Sequence, residues 1–207
     1  MTRIAAILAA SVTLLGLGFA VAYILLMRPA DDQFAECRRS VVAGGEAAIG
    51  GPFSLIDGSG ARVTDTDVID RPTLVYFGYS FCPDFCPNDL ARNALAADML
   101  AEQGHDVGLV FITIDPERDT PEVMGQYAAA LHPEMIGLSG SPEEIDAAAR
   151  AYRVYYGRAG DDPEYYLMDH TTLTYLMAPG VGFLEFFRSD VPAGTLAEQA
   201  ACFVGKL

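Results

Sequence analysis

The chain has 207 residues, with 13 Lys and Arg against 28 Asp and Glu, and a formal net charge of −15. Such a balance repels phosphate backbones and argues against a nucleic-acid partner, leaving solubility, or attraction for cations and metal ions, as the use of the acidity. The length suits one domain of roughly 150 residues and an appendage.

The appendage comes first. Residues 4–27 carry no charge, and at about 1.5 Å per helical residue they exceed a bilayer core of about 30 Å. A cleaved secretory signal is the competing reading, with Ala20-Val21-Ala22 as its cleavage site. The apolar run continues through Met27, however, beyond the roughly 7–15 residues of such a segment. We expect residues 1–28 to be one N-terminal transmembrane anchor, residues 29–50 a polar, Gly/Ala-rich tether, and residues 51–207 the functional domain. Arg3 before the anchor and the acidic turn after Arg28 place the amino terminus in the cytoplasm and the domain in a bacterial periplasm or its equivalent, a single-pass inner-membrane protein.

Past the tether, GPFSLIDGSGARVT reads as two short strands around the turn cluster Asp57-Gly58-Ser59-Gly60. TLVYFGYSF (73–81) is a continuous apolar and aromatic run, the pattern of a strand buried on both faces. The helix after it presents Asp89, Leu90, Ala94, Leu95, Ala97 and Leu100 as a mixed stripe. GLVFITID (108–115) is a second buried strand. Thr120-Pro121-Glu122 and Ser141-Pro142-Glu143-Glu144 each open a helix, with Pro at the first helical position. YYLMDHTTLTYLMAP and GVGFLEFF then read as two strands joined at Pro179-Gly180, and GTLAEQAACFVGKL as a closing helix. Two parallel strands with a crossover helix, further helices, a hairpin and a last helix describe an α/β thioredoxin-like sandwich.

Within it, FGYSFCPDFCPNDL sets Cys82 and Cys86 with three intervening residues, one more than the usual redox pair. The pair can hold a disulfide, a metal ion or neither. It falls between the first buried strand and its helix, where the helix amino terminus favours thiolate over thiol. If the two residues share one helical turn, the i and i+4 spacing puts both sulfurs on one face. Two thiolates are soft donors, suited to Cu(I) and also to Zn(II), and a third donor usually completes the site. Among the three histidines, His105 sits in a polar turn and His132 at a helix end, both expected to be surface or capping residues. His170 opens an apolar strand that passes beside the Cys loop in this topology, which makes it the expected third ligand. Asp169 is either its orienting acceptor or a turn residue. Tyr76, Phe77, Tyr79, Phe81 and Phe85 are candidates for an aromatic rim, with core packing as the plainer role.

YFGYSFCPDFCP, FITIDPERDTPE and YLMDHTTLTYLM, with IGGPFSLID upstream, together resemble the Sco/SenC family of membrane-anchored copper chaperones. The likeness runs from Gly50 to the last helix. It implies a copper site of Cys82, Cys86 and His170, holding Cu(I) and also Cu(II). The implied role is assembly of the CuA centre in subunit II of cytochrome c oxidase, including reduction of that acceptor's cysteines. In the DPERDTP signature Asp115 is either a strand-ending turn residue or a group near copper.

Copper would occupy the reduced pair and a Cys82–Cys86 disulfide would form on oxidation. The remaining two cysteines, Cys37 and Cys202, make an even count in an oxidising compartment, and we expect a structural disulfide between them, with two buried free thiols as the alternative. The competing functions are a thiol-disulfide reductase with catalytic Cys82 and Cys86 and no need of His170, and a redox or copper sensor.

Overall fold

The computed structural model describes residues 16–19, 23, 32–42, 45, 49–160, 162 and 165–207. They fall into two units, Met1–Ala35 and Glu36–Leu207. The anchor expected over residues 1–28 lies outside the described residues except for 16–19 and 23, which are helical. Among the described residues no helix is long and apolar enough to cross a membrane.

The second unit is built on β3 (Thr73–Gly78) and β4 (Gly108–Thr113), both buried at every position, as their unbroken apolar runs require. They pair in parallel, Thr73 against Gly108 through Gly78 against Thr113. The crossover between them is α2 (Phe85–Glu102). β4 continues through α3 (Pro121–Leu131) to β5 (Met135–Ser139), also parallel. The domain thus has three parallel strands where the sequence pattern shows two. MIGLS is short and is interrupted by Gly137, which weakens its strand signal. The glycine is needed because a Cβ there would lie 2.2 Å from the Met124 carbonyl oxygen of α3.

On one side the sheet extends through the antiparallel pair β1 (Ser54–Asp57) and β2 (Arg62–Thr64), with β1 against β5. The short α1 (Asp65–Val68) follows β2, and α4 (Pro142–Ala151) packs on β1. On the other side β8 (Leu173–Ala178) runs antiparallel to β3, and β9 (Gly182–Arg188) closes the order β2-β1-β5-β4-β3-β8-β9. The closing helix α5 (Ala193–Val204) lies on α2. This is a mixed α/β, thioredoxin-like arrangement.

Two helix starts form as their caps dictate. Thr120 accepts the Val123 amide, and Ser141 and Glu144 form a reciprocal capping box, each helix with Pro in its first turn. The stripe on α2 differs from expectation: Leu95 is exposed, while Cys86, Asn93 and Ala96 are also buried. Asn93 turns inward because Thr174 of β8 offers its side chain a hydrogen-bond partner at 2.9 Å, which apolar periodicity alone cannot show.

YYLMDHTTLTYLMAP is two strands, not one. β7 (Leu167–His170) leaves the main sheet and, among the described residues, pairs only with β6 (Tyr156–Ala159), forming a separate antiparallel ribbon with His170 opposite Tyr156. The break falls at Thr171, whose amide donates to the Tyr155 carbonyl at 2.9 Å and whose Oγ1 accepts the Tyr155 amide at 3.1 Å. Threonine suits strands, so no Gly or Pro marks the break.

Cys37 and Cys202 are joined by a disulfide, Cα atoms 5.6 Å apart. Residues 38–40, assigned by the sequence pattern to the tether, bond to β9: the Arg38 guanidinium donates to the Leu184 carbonyl at 2.7 Å and the Arg39 amide to the buried Glu185 carboxylate at 2.8 Å.

Candidate metal centre

β3 delivers the chain to the site at Gly78. A Cβ at this position would lie 2.7 Å from the Cys86 sulfur and 3.0 Å from the Tyr76 ring, so the strand can end beside the thiol only as glycine. Tyr79 is buried, Phe81 is exposed, and Cys82 is half-buried in the loop before α2. Cys86, in the first turn, is buried.

The two thiols do not share a helical turn. Asp84, at φ −137° and ψ −76°, is the last residue outside α2, which begins at Phe85. Cys82 precedes Pro83, and a residue before proline is disfavoured in helical conformation. The sulfurs meet by another route: the free Cys86 amide at the helix start donates to Cys82 Sγ at 3.4 Å. Pro87 fits the first turn because its missing N–H is not needed there.

His170 arrives on the β6–β7 ribbon. Its Nδ1 lies 3.0 Å from the Thr171 carbonyl oxygen. A carbonyl can only accept, so Nδ1 carries the proton and Nε2 presents a lone pair, 3.5 Å from Cys86 Sγ. The orienting acceptor is therefore this carbonyl; Asp169 is exposed on the other side of its strand. The rings of Tyr76 and Tyr79 meet the imidazole edge-on, with centroids at 6.2 and 6.0 Å. Cys82, Cys86 and His170 offer two sulfurs and one nitrogen, all within 4.8 Å of one another. Two thiolates and an imidazole make a soft set that suits Cu(I), and Zn(II) after it.

The thiols are unequal. A hydrogen bond from the Cys86 thiol, aided by backbone amides, holds Cys82 well below the usual thiol range, at about 5. The same bond and burial push Cys86 up. Cys82 is thus the thiolate at neutral pH and Cys86 the proton reservoir. In metal-free, reduced protein, iodoacetamide is expected to label Cys82 first. Its rate should rise as pH climbs through about 5 and level off below pH 7. A rate still climbing at pH 8–9, the ordinary thiol range, would remove the asymmetry.

Several other groups come to the same end of the sheet. Asp115 and Asp119 are buried just after β4. Asp119 accepts the Ser80 amide at 2.9 Å, the Ser80 hydroxyl, and the Thr113 hydroxyl at 2.7 Å, which ties the Cys loop to β4. Asp115 accepts from Arg118 and from the Tyr166 hydroxyl at 2.9 Å, so it is a network residue within its turn. Ser80, Arg118, Asp119 and Tyr166 lie within the quoted motifs, but nothing in the string sets any of them apart from its neighbours. Of the five candidate rim aromatics, Tyr76, Phe77 and Tyr79 are buried, leaving Phe81 at 61% and Phe85 at 52% exposure to flank Cys82. His132 caps α3, accepts the Glu134 amide on Nδ1 at 3.2 Å and faces Asp98, and His105 sits in a turn after α2. Neither belongs to the cluster.

The SCO1/SenC family profile matches residues 42–205. The chain belongs to the SCO1/SenC family. It is 49% identical over 199 residues to Protein SenC of Rhodobacter capsulatus, covering 96% of this chain and 88% of that protein. Against the mitochondrial SCO1 homolog of Homo sapiens it is 41% identical over 160 residues, 76% of this chain and 53% of that one, so it spans about half that relative's length. Among solved SCO1/SenC structures, Arabidopsis thaliana ScoI with copper bound matches at 44% identity and TM-score 0.72, over 77% of this chain and 98% of that one. Bradyrhizobium japonicum ScoI with copper bound matches at 39% identity and TM-score 0.68, over 77% and 100%.

Proposed function

We propose that this SCO1/SenC chain is a copper chaperone. It takes Cu(I), with Cu(II) as a second state, on Cys82, Cys86 and His170. It then delivers the ion to the CuA site of cytochrome c oxidase subunit II, or reduces the cysteines of that site beforehand. The convergence of the three donors carries the reading, and the copper-bound structures of two relatives support it. The anchor over residues 1–28 would hold the chain in a bacterial inner membrane with the Glu36–Leu207 unit in the periplasm. The Cys37–Cys202 disulfide fits that oxidising side. Protease digestion of the unit in spheroplasts, but not in intact cells, checks that placement.

The residues divide the work simply. Cys82 meets the ion first, being half-buried where Cys86 is fully buried, and already ionised. Binding by Cys86 displaces its proton to solvent, so loading weakens as pH falls. His170 adds the neutral nitrogen. Release needs an incoming donor, and His170 also borders an open groove of about 720 Å³ with Phe85, Asn88 and Arg188, from which an acceptor's thiolate can approach.

Titration of the reduced protein with Cu(I) against a competing chelator tests the reading. One tight equivalent is expected. Cys82→Ser, Cys86→Ser and His170→Ala should each weaken it by more than the roughly 10–100-fold that losing an outer partner costs. Binding indifferent to His170→Ala would sink the chaperone reading.

The low pKa of Cys82 favours one second reading, a thiol-disulfide reductase or redox sensor without obligatory metal. The Cys82 thiolate would attack an acceptor disulfide and expel one thiolate. Cys86, deprotonated, would then attack the mixed disulfide and expel the other. The acceptor gains two electrons and Cys82–Cys86 becomes the disulfide. This activity persists in His170→Ala, which separates it from copper delivery.

A further inference from the structure

Among the described residues the β6–β7 ribbon pairs with no other strand, and an isolated two-stranded ribbon is marginal by itself. Beyond the two-residue link Thr171-Thr172 to β8, its position over the Cys loop, and hence that of His170, comes from side-chain ties. One is the Tyr79 hydroxyl, which accepts the Met168 amide at 3.1 Å. At the surface Arg158 of β6 pairs with Glu117 at 2.8 Å, and the remaining ties centre on Arg118. Its Nε pairs with Asp115, and its Nη1 donates to the Tyr166 carbonyl at 3.0 Å, immediately before β7. Its guanidinium lies 3.7 Å from the centroid of the Tyr166 ring, and that of Arg158, from β6, lies 3.8 Å from the same centroid. Two such groups cannot share one face at those distances, so the ring is held between them. The Tyr166 hydroxyl closes the set on Asp115 at 2.9 Å. The Arg118 guanidinium is also 5.0 Å from the Phe81 ring and 5.7 Å from that of Tyr79, in the loop that carries Cys82. One side chain therefore touches both segments that bear the sulfur and nitrogen donors. Its Nη2 is buried with no hydrogen-bond partner among the described residues, so the site is shaped to hold the fork rather than to saturate it.

We propose that Arg118 is a positioning residue for His170, fixing the ribbon through Tyr166 and Asp115 so that the imidazole meets the two sulfurs. This rests on the ligand set of the copper reading. Lysine at this position keeps the charge but cannot stack and pair in two directions at once.

The test is Arg118→Lys, in the parent and in His170→Ala. The expected result is a loss of Cu(I) affinity of about 10–100-fold in the parent and no further loss in His170→Ala. In metal-free protein, exchange of the Met168 amide, which bonds the Tyr79 hydroxyl, should quicken at least 10-fold while far-UV circular dichroism stays unchanged. Unaltered Cu(I) affinity, an equal loss in both backgrounds, or unchanged exchange would overturn the proposal. Should Arg118→Lys fail to fold, Tyr166→Phe, which removes only the hydroxyl on Asp115, is read the same way with a smaller expected effect. Copper binding indifferent to His170→Ala would fail the copper reading itself; exchange in the metal-free protein still decides whether Arg118 holds the ribbon.

Discussion

Asp119→Ala is expected to destabilise the protein by about 3–5 kcal/mol and to lower its Tm by roughly 10 °C. The carboxylate is fully buried and accepts three hydrogen bonds, from the Ser80 amide, the Ser80 hydroxyl and the Thr113 hydroxyl. Alanine would leave those donors without a partner where water cannot replace one, and the cost of an orphaned buried group exceeds the modest net value of the bond it lost. The Ser139 hydroxyl, which bonds the Asp119 carbonyl, keeps its acceptor and limits the damage. Because Ser80 lies two residues before Cys82, the loop should also loosen, and Cu(I) affinity should fall with stability. Asp119→Asn should be intermediate, since its amide oxygen still accepts while its NH₂ faces another donor. Thermal unfolding followed by circular dichroism is the check. An alanine variant melting with the parent would mean that the network stores no stability.

The second large effect concerns the Cys37–Cys202 disulfide, which spans a sequence separation of 165. Loop-closure entropy for such a span sets an upper figure of about 5 kcal/mol, and removal of native disulfides commonly costs about 2–5 kcal/mol. The Cys37→Ser/Cys202→Ser double variant should therefore unfold at a distinctly lower guanidinium concentration without reductant. The loss should stay near the upper half of that range. Residues 38–40 depend on the bridge to stay against β9, and the buried Glu185 carboxylate would lose the Arg39 amide if they lifted away. Cu(I) affinity should not change, because neither cysteine belongs to the metal cluster. An unshifted midpoint would show that the chain is held there by its hydrogen bonds alone.

The two predictions fall on features that differ in how far the sequence reveals them. The Cys82 and Cys86 spacing, the buried runs of β3 and β4, and the caps at Thr120 and Ser141 are properties of neighbouring residues, governed by periodicity and local hydrogen bonding, and they can be read from the string. The soft donor types and the need for a third ligand are legible for the same reason: they follow from side-chain chemistry. Asp119 is different. Its partner Ser80 lies 39 residues away, and nothing in the local pattern distinguishes a carboxylate that will be buried from one that will face water.

The same limit explains each departure from expectation. β5 was hidden because its glycine answers to the backbone of α3, a tertiary neighbour. The β7–β8 break was hidden because two threonines are good strand residues whichever sheet they join. The i, i+4 spacing leaves open whether Cys82 shares the helical turn of Cys86; Pro83 keeps it in the loop, and the orphan amide of Cys86 brings the sulfur back. For His170, Asp169 was the local candidate for an orienting acceptor, but alternation along the strand turns its side chain away and leaves the Thr171 carbonyl facing Nδ1.

By itself, then, the sequence determined which atoms are available: two thiols in a proline-stiffened loop, a histidine at a strand edge, and a second thiol pair outside the motif. Only the tertiary structure decided that His170 closes on Cys86 from 84 residues away, that Arg118 spans both donor segments, and that the tether residues return to β9. Local chemistry is carried by the residues themselves, while convergence depends on how separate strands, each stable for its own reasons, are stacked and tied against one another.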